Sequence, residues 1–130
     1  MNWLAIVLGT VAFFAVGAVW YTVLFGKAWQ RLVGLSDEQL KDGTNMPLIF
    51  GLCFLLELLV VTMLGHLFGH LQPPNHAKMM ISTGFGLTIM SPAIGITYLY
   101  MRKPLKLFLI DAGHFIVGMA AVGAVFVLLG

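Results

Sequence analysis

Residues Met46 to Leu71 read MPLIFGLCFLLELLVVTMLGHLFGHL, with one carboxylate, Glu57, two imidazoles, His66 and His70, and no lysine or arginine. A helix of that length rises about 39 Å, more than the roughly 30 Å hydrocarbon core of a bilayer. In lipid each backbone N–H and C=O needs a partner, and a helix supplies them from within the segment. The stretch is predicted to cross a membrane as a helix.

Working outward, comparable apolar runs cover about 3–25, 77–101 and 104–129. Over all 130 residues the chain is 60% hydrophobic and only 9% charged, against about 25% charged in soluble domains. So few charges cannot clothe a water-facing surface, whereas lipid accepts apolar side chains. The expected fold is all-α: an integral membrane bundle of four transmembrane helices in one domain over residues 1–130, with a short interfacial helix in the first connection.

The breaks carry their own chemistry. Asn45 can cap the second helix, with Pro47 in its first turn, and Asn75 can cap the third after Gln72-Pro73-Pro74. Pro104 fits the first turn of the fourth helix, which follows a very short connection. Lys27, Trp29 and Arg31 suit an interfacial extension of the first helix. Ser36 and Gln39 form a capping-box pattern, which predicts a short helix from Asp37 to Lys41 ended by Gly43. No basic region precedes the first apolar run, so that run is expected to be retained rather than cleaved as a signal peptide.

Charge sets the expected orientation. Lys27, Arg31, Lys41, Arg102, Lys103 and Lys106 fall at the first and third connections, and Lys78 at the other end. The positive-inside rule puts those two connections in the cytoplasm and both termini outside. Trp20, Tyr21, Trp29, Tyr98 and Tyr100 are expected at the inner interface and Trp3 at the outer one. The net charge of +2, without a basic tract, argues against a nucleic-acid partner. The single cysteine, Cys53, reads as a small buried apolar side chain.

Ionisable groups inside a span are costly, and each marks a candidate site. Counted from the inner helix ends, Glu57 lies roughly 16 Å deep, His114 roughly 14 Å and Asp111 roughly 10 Å. Ser91 lies at a similar depth on the third helix, where Pro92 frees a backbone carbonyl. Asp111 and His114, at i and i+3, share a helix face, which suits a proton relay or a cation site. With Tyr21 these residues would form one polar layer for binding or passing a small solute or proton. The alternative is polar glue, with Asp111 bonded at the interface or paired with Lys106 or Arg102. At the opposite end Met63, His66 and His70 make one helical stripe and His76 follows the Pro-Pro turn, a set whose imidazoles could hold Zn(II) or copper.

Gly65 and Gly69 form a GxxxG step, and Gly118, Ala120, Ala121, Gly123 and Ala124 give the fourth helix a small-residue face for packing within the chain or in a homodimer. No phosphate loop, nucleophile elbow or HExxH motif is present, so neither enzymatic activity nor a cofactor is expected.

Trp20-Tyr21 and Phe25-Gly26-Lys27-Ala28-Trp29, the connection segment Leu32-Val33-Gly34-Leu35-Ser36, and the stretch from Pro104 to Gly113 resemble segments of the domain of unknown function 1761 family. These are bacterial and fungal membrane proteins, and the resemblance covers essentially the whole chain. It implies four spans in these places and no settled activity. In that pattern an aromatic is usual where this chain has His114, and Asn can stand at the Asp111 position, which argues against a proton relay as a shared family function; Glu57 and the outer histidines are peculiar to this chain, so any role for them would be its own. The expected location is a bacterial inner (plasma) membrane. The leading functional expectation is binding or conduction of a small solute or protons. The other is an accessory subunit that acts through contacts with another protein, its polar layer fully satisfied by internal hydrogen bonds.

Overall fold

The structure, a computed structural model, describes residues 1–41 and 46–130. Four helices are long and apolar enough to cross a membrane: Trp3–Leu24, Met46–Leu71, Asn75–Met101 and Leu105–Leu129, here the first to fourth spans. The chain is an all-α membrane protein, and no strand occurs among the described residues.

The span ends follow the sequence closely, with corrections that have local causes. Asn75 is the first residue of the third span rather than its cap. Pro74 holds the capping position in extended backbone, φ −67° and ψ 166°, and no side chain caps the helix. Pro104 likewise stands one residue before the fourth span, at φ −68° and ψ 150°. Proline's fixed φ suits this extended backbone, and having no N–H it loses no bond by standing just ahead of the first helical turn. The third span closes on Arg102, left-handed at φ 57°, while the Lys103 N–H donates to the Tyr98 carbonyl at 2.9 Å. Asn45 and Gly43, read as a cap and a stop, lie outside the described residues.

The segment carrying Lys27, Trp29 and Arg31 does not extend the first span. The span ends in a wide π turn, Trp20–Leu24, Phe25 leaves the helical region, and a separate helix runs over Gly26–Val33. A Cβ at Gly26 would lie 2.7 Å from the Tyr21 carbonyl oxygen, so the restart requires glycine there. Gly34, at φ 80°, ends this helix. The capping box forms as expected. The Ser36 N–H donates to Gln39 Oε1 at 2.7 Å, the Gln39 N–H donates to Ser36 Oγ at 3.1 Å, and Asp37–Lys41 is helical.

In space the spans run second, first, fourth, third. The first packs on the second and fourth, and the third packs on the fourth. The core is built from Ala5, Ile6 and Phe13 of the first span, Val61, Leu64 and Phe68 of the second, and Met119, Val122 and Phe126 of the fourth. Lipid offers no hydrophobic drive between helices, so close approach at small residues matters most. Phe13 fills the notch at Gly118, Ile6 and Phe126 converge on Gly65, and Ser82 and Met79 meet Gly123. The small-residue positions Gly118 and Gly123 of the fourth span therefore pack within the chain. Across the third–fourth contact the Ser82 hydroxyl donates to the Met119 carbonyl at 2.5 Å.

Among the described residues, the second span is buried only in its outer half. Its buried residues are Val61, Leu64, Gly65 and Phe68. Leu48, Ile49, Phe50 and Leu52 of its inner half are all exposed. The inner half touches the first span through Phe14, which meets Phe50 and Phe54, and leaves a cleft bounded by the first, third and fourth spans.

Candidate functional site

The cleft encloses about 1430 Å³. Its floor is the inner half of the first and fourth spans. Ile49, Phe50, Cys53 and Glu57 of the second span form one wall, and Ala93, Ile94, Thr97 and Tyr98 of the third span the other. Lys27, Trp29 and Gln30 of the interfacial helix, with Leu35 and Gln39, stand at its mouth. Gln30 is fixed there by its amide, which donates to Asp37 Oδ1 at 2.7 Å.

Asp111 is buried on the fourth span and held from two sides. The Tyr21 hydroxyl donates to Oδ1 at 2.5 Å, and the Tyr98 hydroxyl donates to Oδ2. One carboxylate thereby ties the first, third and fourth spans together through charge-assisted hydrogen bonds, and neither Lys106 nor Arg102 pairs with it. One turn of helix further on, His114 is only 6% exposed, and neither ring nitrogen has a hydrogen-bond partner among the described residues. Its ring lies against Tyr21 and Phe115, with centroids at 5.0 Å and 4.7 Å. The expected Asp111–His114 relay pair is therefore not bonded. They share a helix face, but both carboxylate oxygens are already taken by tyrosines.

Glu57 faces the same cleft from the second span, and its Oε2 is buried without a hydrogen-bond partner among the described residues. Tyr21, Glu57, Asp111 and His114 are thus brought to one cavity, as their depths imply. Ser91 is not. It is buried between the third and fourth spans, where its hydroxyl donates to the Gly86 carbonyl at 2.6 Å. That carbonyl begins a second π turn, Gly86–Met90, which precedes Pro92. The wide turn absorbs the proline, and Ser91 satisfies the backbone there instead of lining a cavity. Cys53, read as buried, is exposed on the cleft wall.

The aromatic residues assigned to the inner interface divide. Tyr100 and Trp3 are exposed, but Trp20, Tyr21 and Tyr98 turn inward. The Trp20 indole N–H donates to the Ile110 carbonyl at 2.9 Å. A Cβ at Gly113 would lie 2.9 Å from Trp20 Cζ2, so the indole occupies the space that glycine leaves. Tyr98 is the site residue that sequence reasoning missed. Its signal was its place beside the third connection: Tyr98 lies about 5 Å and Asp111 about 10 Å from the same tight turn, a difference that a tyrosine side chain spans.

At the other end, His66 and His70 stack edge to face with centroids 4.5 Å apart. No group of three possible metal-ligating side chains forms among the described residues, so His76 does not complete a set with them. The turn after Leu71, with Gln72 at φ 48°, carries the chain onward to the third span. Lys78 of that span is buried, and its ammonium donates to the Phe126 carbonyl at 3.5 Å, near the fourth helix's C-terminal end.

The segments that carried the family resemblance meet in space. Trp20-Tyr21 of the first span reaches Ile110, Asp111 and Gly113 of the fourth. No curated protein and no solved structure matches the sequence. The model of the family described as protein of unknown function (DUF1761) matches residues 4–127, nearly the whole chain, and the chain belongs to that family.

Proposed function

We propose that this protein is a non-enzymatic membrane binder that takes a small amphipathic solute into the cleft between its second and third spans. The observation that carries the reading is the cleft itself, with Glu57 and His114 presenting buried polar atoms that no protein group satisfies among the described residues. Buried polar groups are ordinarily bonded, so such atoms mark a place where something else binds. A purely structural subunit would have its polar layer closed by internal bonds. Asp111 meets that condition; Glu57 and His114 do not. Size argues against a proton wire. Sites for drug-sized ligands occupy roughly 300–1,000 Å³, and this cleft is larger.

The reading uses one copy of the chain in a bacterial inner membrane. The basic residues of the first and third connections support a cytoplasmic mouth and non-cytoplasmic termini. Native mass spectrometry of the protein extracted in a mild detergent tests the binding. A bound small molecule is expected on the wild type and is lost from Glu57→Leu and His114→Phe variants that remain folded. A naked wild type, or an adduct indifferent to both substitutions, overturns the reading. A C-terminal alkaline phosphatase fusion should be active; an inactive one reverses the orientation.

A further inference from the structure

Resting on that reading, we infer that the cleft selects a membrane-dissolved organic cation: a positively charged head on a bulky apolar body, with Glu57 as its counter-ion. The argument begins with which acid is free. Asp111 spends both oxygens on tyrosine hydroxyls, whereas Glu57 Oε2 is buried with no partner among the described residues. A mid-span carboxyl is tolerated when it holds a proton or faces a cation. Among the described residues, no lysine or arginine bonds to it. Lys27 is the basic side chain among the described lining residues, and it stands on the interfacial helix at the mouth. An entering cation supplies the counter-charge that the described lining residues do not place beside Glu57.

The walls fit the same class. Phe14 meets Phe50 and Phe54 edge to face at 6.2 Å and 5.8 Å, and Tyr21 meets Trp29 at 5.6 Å. Aromatic faces attract cations through their negative quadrupole, and more strongly where water is excluded. His114 is a second, independent mark of a ligand. It is a nearly fully buried imidazole on the cleft floor whose nitrogens have no hydrogen-bond partner among the described residues; Nε2 packs at Gly17, where a Cβ would lie 2.9 Å away, and one nitrogen of the neutral ring is left to accept a hydrogen bond from an ammonium or amidine head. The route of entry is sideways. Among the described residues, the inner halves of the second and third spans line opposite sides of the opening without extensive packing on each other, so a solute dissolved in the leaflet reaches Glu57 without crossing water.

The test uses two ions of the same shape and opposite charge, tetraphenylphosphonium and tetraphenylborate, and the native Cys53 on the cleft wall as reporter. The rate at which N-ethylmaleimide modifies Cys53 is measured in neutral detergent, normalised to each variant without added ion. The phosphonium should slow modification of the wild type, and Glu57→Gln should raise the concentration required by at least about tenfold. Glu38→Gln, which neutralises an exposed acid outside the cleft, should leave that concentration unchanged. Wild-type protection by both ions at similar occupancy, or phosphonium protection that ignores Glu57, overturns the charge selection while leaving a binding cleft. That comparison of ions needs no variant to fold. Absence of protection by either ion also overturns the inference, and the binder reading is then judged separately by the mass measurement above.

Discussion

Gly113→Ala is the sharpest probe of the junction between the first and fourth spans. The new methyl would lie 2.9 Å from Trp20 Cζ2 and 3.5 Å from Cη2. The first distance is about 0.6–1.1 Å inside the carbon–carbon optimum of roughly 3.5–4.0 Å. The indole cannot swing away freely, because its N–H is bonded to the Ile110 carbonyl at 2.9 Å. Overpacking of this kind costs about 1–3 kcal/mol, and loss of the hydrogen bond adds about 1 kcal/mol. Exchanging glycine for alanine within a helix returns about 1 kcal/mol. The net expectation is a destabilisation of about 1–3 kcal/mol. Trp20→Phe removes the ring carbons that the methyl meets and the indole hydrogen bond, so in that background Gly113→Ala should stabilise by about 1 kcal/mol. The difference, a coupling of about 2–4 kcal/mol, is well above the roughly 0.5 kcal/mol within which independent sites add. Far-ultraviolet circular dichroism along a titration of dodecyl sulfate into mixed micelles reads all four variants of the cycle. Equal costs of Gly113→Ala in both backgrounds would refute the contact as the reason for the glycine.

Tyr21→Phe and Tyr98→Phe should each destabilise the fold by about 1.5–3 kcal/mol in the same titration, since each strips one donor from a buried carboxylate. Asp111→Asn should cost less than Asp111→Leu, because an amide can accept from one tyrosine and donate to the other; equal costs would count against the two-tyrosine clasp. Gly86→Ala should disturb the third–fourth contact more than Gly95→Ala. Its Cβ would meet Phe115 and Ile116 backbone at 2.8–2.9 Å, whereas at Gly95 it meets the Phe108 ring edge at 3.0 Å; a smaller loss at Gly86 would contradict the packing. Zinc titration should give equal uptake by the wild type and by the His66→Ala, His70→Ala double variant, because two imidazoles without a third ligand make a poor site.

The four spans were legible because a length of apolar sequence dictates helix in lipid, and the capping box at Ser36 and Gln39 was legible because its two bonds are local. The depth of the polar layer was legible too, since helical rise converts residue number into distance. Azimuth was not. Ser91 lies at the right depth but faces the fourth span, and a π turn in the same helix makes rotation hard to count from sequence. The same holds for Trp20, Tyr21 and Tyr98. Their composition reads as an interfacial belt, and only the packing of three helices shows that they donate inward. The cleft itself was invisible for a different reason. It exists because the second span, among the described residues, is buried only in its outer half, and the Leu- and Phe-rich inner half looks the same in sequence whether it faces lipid or a cavity.

The adjacency of the first and fourth spans has a consequence for biogenesis. A ribosome delivers the spans in order, yet Phe13, Gly17 and Trp20 acquire their neighbours only when the fourth span arrives. Until then the first two helices can join as a hairpin at Ile6, Gly65 and Val61, with the flank that will receive the fourth span open to lipid or to the insertion machinery. Assembly is thus gated by the fourth span, and truncation within it should leave inserted but unassembled helices with their packing faces open.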